Sequence, residues 1–557
     1  MNELKVNLLD FSQQQIFSAL VSWDTQSAHN GVISKIQKLG DENPELDYLL
    51  PGFIDAHVHI ESSMMLPTEF ARMAVRHGTI ASVSDPHEIA NVLGVKGVEF
   101  MIKNSEKTPF NVFFGAPSCV PATPFETTGS SISLSDIQLL FDSGKVKYLS
   151  EMMNFPGVLS QSKEVMDKLL LAQQYGFPVD GHAPNLMGDA AQQYAQAGIS
   201  TDHECTSLDE ARNKIAAGMK ILIREGSAAR DFLSLHPLIS EYPNQVMFCS
   251  DDKHPDELSH SHINKMVIDA VALGHSVFDV LRCACINPIQ HYQLPLGTLQ
   301  QGQVLNAVLV EDLCHFKVKK TWLAGQEVAQ AGESLLASVD EQAINCFKAN
   351  PVKLGDLQVS AQKGKIRTID VAEGKLFTQE KIISSDLFTI MDKNNAEAEV
   401  VLSANPLNDI AQLTVLNRYQ QALPANAFVT GSGIQSGAIA STVAHDSHNI
   451  IAIGCNTESI QKAINAVIEI KGGICVVTND GVKTLPLPVA GLMSLDTAEN
   501  VAKHYADLDT HAKQLGFTLT APFMTLSFLA LLVIPELKLS DKGLFDGRDF
   551  SFKELNC

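Results

Sequence analysis

One pattern of hydrophobic and polar positions repeats along the first half of the chain. A short apolar or β-branched run stops at a polar side chain of the kind that binds ligands, and a stretch of helical spacing follows. The first run, Tyr48 to Ala56, ends at His57-Val58-His59. Later runs end at Asp85 and His87, at Glu151, at His182, at His203 and Glu204, at Arg224 and Glu225, and at Asp251 and Asp252. Between them, Phe70, Met73, Ala74 and His77 fall at helical spacing after Pro67, and Ile263, Met266, Val267 and Ala270 form a stripe that stops near Gly274. Ser207-Leu208-Asp209-Glu210 has the form of a capping box opening a helix. Strand then helix, repeated, predicts an α/β fold of parallel strands with covering helices. Runs near 48–56, 79–84, 111–116, 146–150, 178–181, 199–202, 220–224 and 246–250 supply the eight strands of a (β/α)8 TIM-like barrel. An open doubly wound sheet would need a glycine-rich phosphate turn or a switch-point site, and no G-x-G-x-x-G follows a strand here.

The flanks of this region have a different rhythm. Strand-like pieces in 18–50 and short β runs separated by glycines in 296–335 predict a small composite β-sandwich built from both sides of the barrel. A further block has its own apolar periodicity and glycine turns and is expected to form an α+β domain. The expected division is therefore 1–50 with 296–360, then 51–295, then 361–557, and 557 residues suit three domains.

Composition narrows the classes. Hydrophobic residues are 45% and charged residues 19%, as in a soluble globular protein. Basic residues number 41 and acidic residues 63, a net charge of −22, which argues against nucleic acid and anionic membranes as partners. The N-terminal MNELKVNLLDFSQQQ lacks the basic and apolar regions of a signal peptide. The apolar stretch Phe523 to Ile534 is too short to span a bilayer and ends at Pro535, so it is read as a buried segment. Ten cysteines occur without a C-x-x-C pair, which suggests buried free thiols in a reducing cytoplasm. Cys283 and Cys285 are expected to pack in a helix, and Cys205 and Cys249 to act as small apolar fillers.

His57 and His59, two apart on a strand, point to the same side and can ligate one metal. The surrounding LLPGFIDAHVHIESS resembles the first-strand signature of the amidohydrolase superfamily, and GTLQQGQVLNAVLVED after the barrel resembles the same group. There Asn306-Ala307 replaces the usual Ala-Asp. More narrowly, IESSMM, VSDPHEIANVLG, GHAPNLMG, DHECTS, REGSAA, FCSDDKHPDEL, AHDSHNI and LPLPVAGLMS together resemble the bacterial adenine deaminase family, over nearly the whole chain.

That resemblance implies two divalent metal ions, Mn or Fe(II) ahead of Zn, held by His57, His59, His182, His203 and Asp251. The bridge is assigned to Glu151. Lys147, in the run Lys145 to Glu151, shares strand parity with it and would be the bridge if the strand were placed differently. The implied substrate is free adenine, converted to hypoxanthine and ammonia in purine salvage by a homodimer. Asp251 is expected to move the proton of the attacking water. Glu204 is expected either to protonate N1 or to orient His203. Asp85, His87, Arg224 and Glu225 are expected to meet the purine, with a structural turn at Pro86 and an Arg224–Glu225 ion pair as the competing roles. Asp252 is expected to point away. His445-Asp446-Ser447-His448 either closes over the barrel mouth or satisfies its own backbone. His254, His260 and His262 are expected in a solvated loop and helix start. Two other functions stay open: an amide or cyclic-imide hydrolase of the hydantoinase or dihydroorotase kind, and an inactive binding homologue. The His/Cys/Cys zinc pattern of nucleic-acid-editing deaminases is absent.

Overall fold

The computed structural model describes residues 2–25, 31–392 and 399–557. Its centre is a TIM-like barrel of parallel strands: β1 (Phe53–Val58), β2 (Thr79–Ser84), β3 (Asn111–Ala116), β4 (Val146–Met152), β5 (Val179–Gly181), β6 (Thr201–Asp202), β7 (Lys220–Arg224) and β8 (Val246–Cys249). β1 to β5 pair in sequence, as do β6 to β8. Two bridges close the ring, Val179 with Ile199 and Val58 with Asp251. At the second seam the backbone N–H of His59 donates to the Asp251 carbonyl, and that of Asp251 donates to the His57 carbonyl. Most strand residues are buried on both faces, as in parallel strands under helices. The helices Pro67–Arg76, Leu208–Ala216 and Ile263–Ala272 match the apolar stripes read from the sequence, and the Ser207 hydroxyl accepts from the Glu210 backbone as a cap.

The apolar run 48–56 is two strands, not one. Tyr48–Pro51 pairs in parallel with Asn2–Asp10 and antiparallel with Ala307–Val310, outside the barrel. Phe53 onward belongs to β1. Gly52 lies at the switch, where a Cβ would fall 2.2 Å from the Ile80 side chain. Strands from both flanks form one eight-stranded sheet that includes Asn2–Asp10, Gln15–Asp24 and Val32–Asp41 before the barrel and Ala307–Val310, Val318–Leu323 and Gln326–Gln330 after it. The sheet curls until Val32 bridges Val304, around a core that includes Val21, Trp23, Ile33, Leu309 and Trp322.

A second eight-stranded sheet carries the C-terminal block, from Lys365–Asp370 to Gly481–Pro486. The helix Thr457–Glu469 buries Ile460, Ala463, Ile464 and Val467 against it. The helix Ala498–Gln514 ties the block to the barrel. Glu69 accepts from the Ala498 backbone at 2.8 Å, and Arg72 pairs with Glu499. Pro522–Phe528 forms a helix, and its continuation to Ile534 stays largely buried. No helix among the described residues is long and apolar enough to cross a membrane. Cys205, Cys249, Cys283 and Cys285 are buried free thiols, each pushed up by burial. His254 and His262 depart from the solvated placement expected of them. Both are buried, His254 beside Tyr505 and His262 at 2.8 Å from Asp55.

Candidate metal centre

The polar side chains that end the strands converge at the C-terminal mouth of the barrel, where barrel active sites are built. His57 is in β1, and His59 follows it in extended backbone. Their Nε2 atoms stand 3.2 Å apart. Asp251, just past β8, places Oδ1 at 3.6 Å from His57 Nε2 and 3.2 Å from His59 Nε2. His182 follows β5 and His203 follows β6. Glu151, in β4, lies among all of them. Its Oε1 is 3.1 Å from His59 and 3.8 Å from His57, and its Oε2 is 2.7 Å from His182 Nδ1 and 3.3 Å from His203 Nε2. One carboxylate thus presents one oxygen to each of two imidazole pairs.

This donor set fits divalent cations. The His59 Nδ1 lies 3.1 Å from the Asp85 carbonyl oxygen, a bond that takes the ring proton and leaves a lone pair on Nε2. Among the described residues, the buried His57 Nδ1 and His182 Nε2 find no hydrogen-bond partner. Burial opposes charge on Glu151, yet His203, His182 and His59 outweigh it and hold the carboxyl well below the usual range. Asp251 behaves alike through His57 and His59. Burial disfavours charge on His182 as well, but Glu204 and Glu151 lift it to about 9. The carboxylates therefore concentrate positive charge where the imidazoles meet, which a metal ion supplies more fully than protons can.

The bridge candidate reaches the site for a reason that strand parity does not contain. Between Leu149 and Met152 the pairing of β4 with β5 shifts register, three residues against two. This bulge re-aims the strand end. Lys147, of the same nominal parity, is exposed, and its amine donates to the Gly144 carbonyl at 3.0 Å. Tyr148 and Ser150 are buried instead. A comparable break occurs at the end of β8. Asp251 has φ of 54°, in the left-handed region, so alternation fails and Asp252 also lines the cavity instead of pointing away. The Asp252 Oδ1 accepts from the Ser62 hydroxyl at 2.5 Å.

Arg224 lines the cavity, but its guanidinium is committed to carboxylates. Nε donates to Asp231 at 3.0 Å, Nη1 to Glu204 and to Asp251 Oδ2, and Nη2 to Glu204. This pairing changes the expectation for Glu204. Burial raises its carboxyl, but Arg224, His182 and His203 outweigh burial and hold it lowered, which favours the ionised form. Glu204 also stands 3.6 Å from His203 Nε2 and 3.7 Å from His182 Nδ1. Glu225 is not brought to the site. Its carboxylate accepts from the Phe232 backbone at 3.3 Å, and no ion pair joins it to Arg224. Asp85 is buried, and its Oδ1 accepts from the Ser150 hydroxyl and the His87 backbone. His87 lines the cavity 3.3 Å from Glu151.

The remaining wall comes from the C-terminal block, through Leu376, His445, Asp446, Phe528, Leu531 and Ile534. His445 and His448 both meet Glu88. Glu88 escaped the sequence reading, and its signal was its place beside His87 in VSDPHE. The run His445 to His448 was singled out there, and His445 and Asp446 do line the barrel mouth.

The amidohydrolase family matches residues 48–328, and the adenine deaminase C-terminal domain matches residues 388–551. The adenine deaminase of Salinibacter ruber is 49% identical over 530 residues, 95% of each chain. That of a Sulfurovum species is 48% identical over 99% of each chain, and that of Methanosarcina mazei is 45% identical over 95% of this chain and 96% of its own. The chain belongs to the amidohydrolase family and, within it, to the adenine deaminases.

Proposed function

We propose that the protein hydrolyses free adenine to hypoxanthine and ammonia. The observation that carries this is the Glu151 carboxylate set between two imidazole pairs beneath an apolar wall, in a chain of this family. His57, His59 and Asp251 would hold one divalent cation, and His182 and His203 a second, with Glu151 between them. Bound there, Mn or Fe(II) would make the attacking water a potent nucleophile at neutral pH. Asp251 takes the proton of that water and passes it to the departing nitrogen, so that water and adenine leave as hypoxanthine and ammonia. Arg224 keeps the second Asp251 oxygen in place and holds Glu204 ionised. Glu204 therefore serves as an acceptor near His182 and His203, not as the N1 donor. His87 contacts the substrate and Asp85 acts through it. A cyclic-amide hydrolase of the lysine-bridged kind would need Lys147 in the mouth, and Lys147 is exposed.

Residues 1–50 with 296–360, 51–295 and 361–557 are taken as the three units of a cytoplasmic homodimer. The test is ammonia release from adenine by protein loaded with Mn or Fe(II), beside a chelated control and adenosine, guanine, cytosine and dihydrouracil. Metal-dependent release from adenine alone supports the assignment. Opening of dihydrouracil would replace the substrate, and silence on every compound with metal bound would point to a binding homologue.

A further inference from the structure

The cavity wall supplied by the C-terminal block has no part in the chemistry above, yet it carries a buried imidazole with an unused nitrogen. His445 is 2% exposed, and its ring stacks on Phe528 with centroids 5.1 Å apart. A chain of hydrogen bonds places its protons. The Ala444 backbone N–H donates to His448 Nδ1 at 3.2 Å, so that nitrogen carries a lone pair. The proton of His448 therefore sits on Nε2, which donates to Glu88. The other Glu88 oxygen accepts from His445 Nδ1. Burial opposes charge on Glu88, but His445, His448 and His87 hold its carboxyl well below the usual range.

His445 Nε2 is then left in the cavity wall, buried and without a hydrogen-bond partner among the described residues, 3.7 Å from Asp252 Oδ1. Burial lowers this imidazole, but Glu88 and Asp252 outweigh burial and lift it to about 9, so Nε2 carries a proton to donate at neutral pH. The same hydrogen bonds rule out a third cation among Glu88, His445 and His448. A metal there would need the Nε2 lone pair of His448, and a neutral ring cannot hold lone pairs on both nitrogens. A flat base lying against Phe528, Leu531 and Ile534 presents ring nitrogens at its edge, and all but the one that carries the ring N–H are acceptors.

We propose that His445 is a substrate-contacting residue whose Nε2 donates to a ring nitrogen of the purine, with Glu88 and His448 as its positioning residues. This rests on the adenine reading. The probe is 6-methylpurine, which carries no leaving amine, together with its 1-, 3- and 7-deaza counterparts. Each is titrated by calorimetry into metal-loaded wild type, His445→Ala, His445→Gln and Glu88→Gln, with metal content and adenine turnover measured alongside.

In wild type one deaza compound should bind about 30-fold more weakly than 6-methylpurine, the size of a hydrogen bond from a charged donor. In His445→Ala that difference should shrink to about threefold or less, and His445→Gln, which keeps a donor, should restore part of it. Glu88→Gln should fall between, with metal content unchanged in every variant. A wild-type difference that persists undiminished in both His445 variants overturns the proposal while leaving the deaminase reading intact. Wild type that binds 6-methylpurine with the His445-dependent difference but does not turn over adenine overturns the deaminase reading alone. Wild type that neither binds nor reacts overturns both.

Discussion

Two buried clusters at the barrel mouth are built from the same residue types, and hydrogen bonds to the far side of the rings distinguish them. In the first, around Glu151, the His59 Nδ1 faces a backbone carbonyl, so the ring proton sits there and Nε2 offers a lone pair. In the second, around Glu88, the His448 Nδ1 accepts from a backbone N–H, so Nε2 holds the proton. Both clusters group imidazoles closely around one carboxylate. The first needs an external cation to balance its convergent acceptors, and the second is balanced by its own protons. Proximity of histidines and carboxylates is thus a weak sign of a metal until the opposite ring nitrogens are followed to their partners.

The largest expected effect separates the clusters outright. Glu151→Gln should lose one metal per chain and lower turnover by about a thousandfold or more, because the bridging charge is gone. Metal analysis beside ammonia release checks both, and two metals retained with full activity would break the distinction. Arg224→Met should come next. It leaves Glu204 and Asp251 buried without their cation, and loss of one partner of a buried pair costs about 3–5 kcal/mol. Denaturant unfolding of the metal-loaded protein measures it, and an unchanged midpoint would deny the clamp. A paired test sharpens the contrast. His203→Gln should deplete metal, while His448→Gln should keep the full complement and weaken substrate use by about 10–100-fold, as for lost support of an active residue.

The smallest effect concerns the support of the C-terminal wall. Lys538 is fully buried, its amine donates to the Leu376 carbonyl at 2.9 Å, and burial lowers it to about 7. The unfolded chain binds this proton up to its ordinary value near 10.5, and the folded chain releases it near 7. Between those values the unfolded state holds more protons, so stability rises with pH across the window. The cost of burying the charge is fully present below pH 7. Lys538→Met should therefore raise the thermal midpoint most at pH 6 to 7, with the gain fading toward pH 10. A gain independent of pH would mean that the folded and unfolded chains bind this proton alike, so that burial does not lower the amine.

The order of the barrel strands and the ends that carry the chemistry were legible in the chain. Apolar runs stopping at His57, Glu151, His182, His203 and Asp251 are a local signal, and a closed parallel barrel brings such ends to one rim. His57 and His59 reach one site even though the pairing of β1 with β2 also shifts register between Asp55 and Val58 and His59 lies just past the strand. Parity failed at Lys147 and Glu151 because a bulge shifts β4 against β5, and at Asp252 because Asp251 turns left-handed. Both depend on pairing with neighbouring strands, which a single run does not encode.

The sequence by itself determined which residue types end each strand and, through them, the family and the floor of the site. Only the tertiary structure decided which of those side chains turn inward, that Arg224 is consumed by Glu204, Asp231 and Asp251, and that Glu225 turns to the Phe232 backbone. It also decided that His445 meets Glu88, 357 residues away. Apolar periodicity is set by neighbours a few positions apart, whereas ring tautomers and ion pairs are set by whichever groups packing brings within about 3 Å.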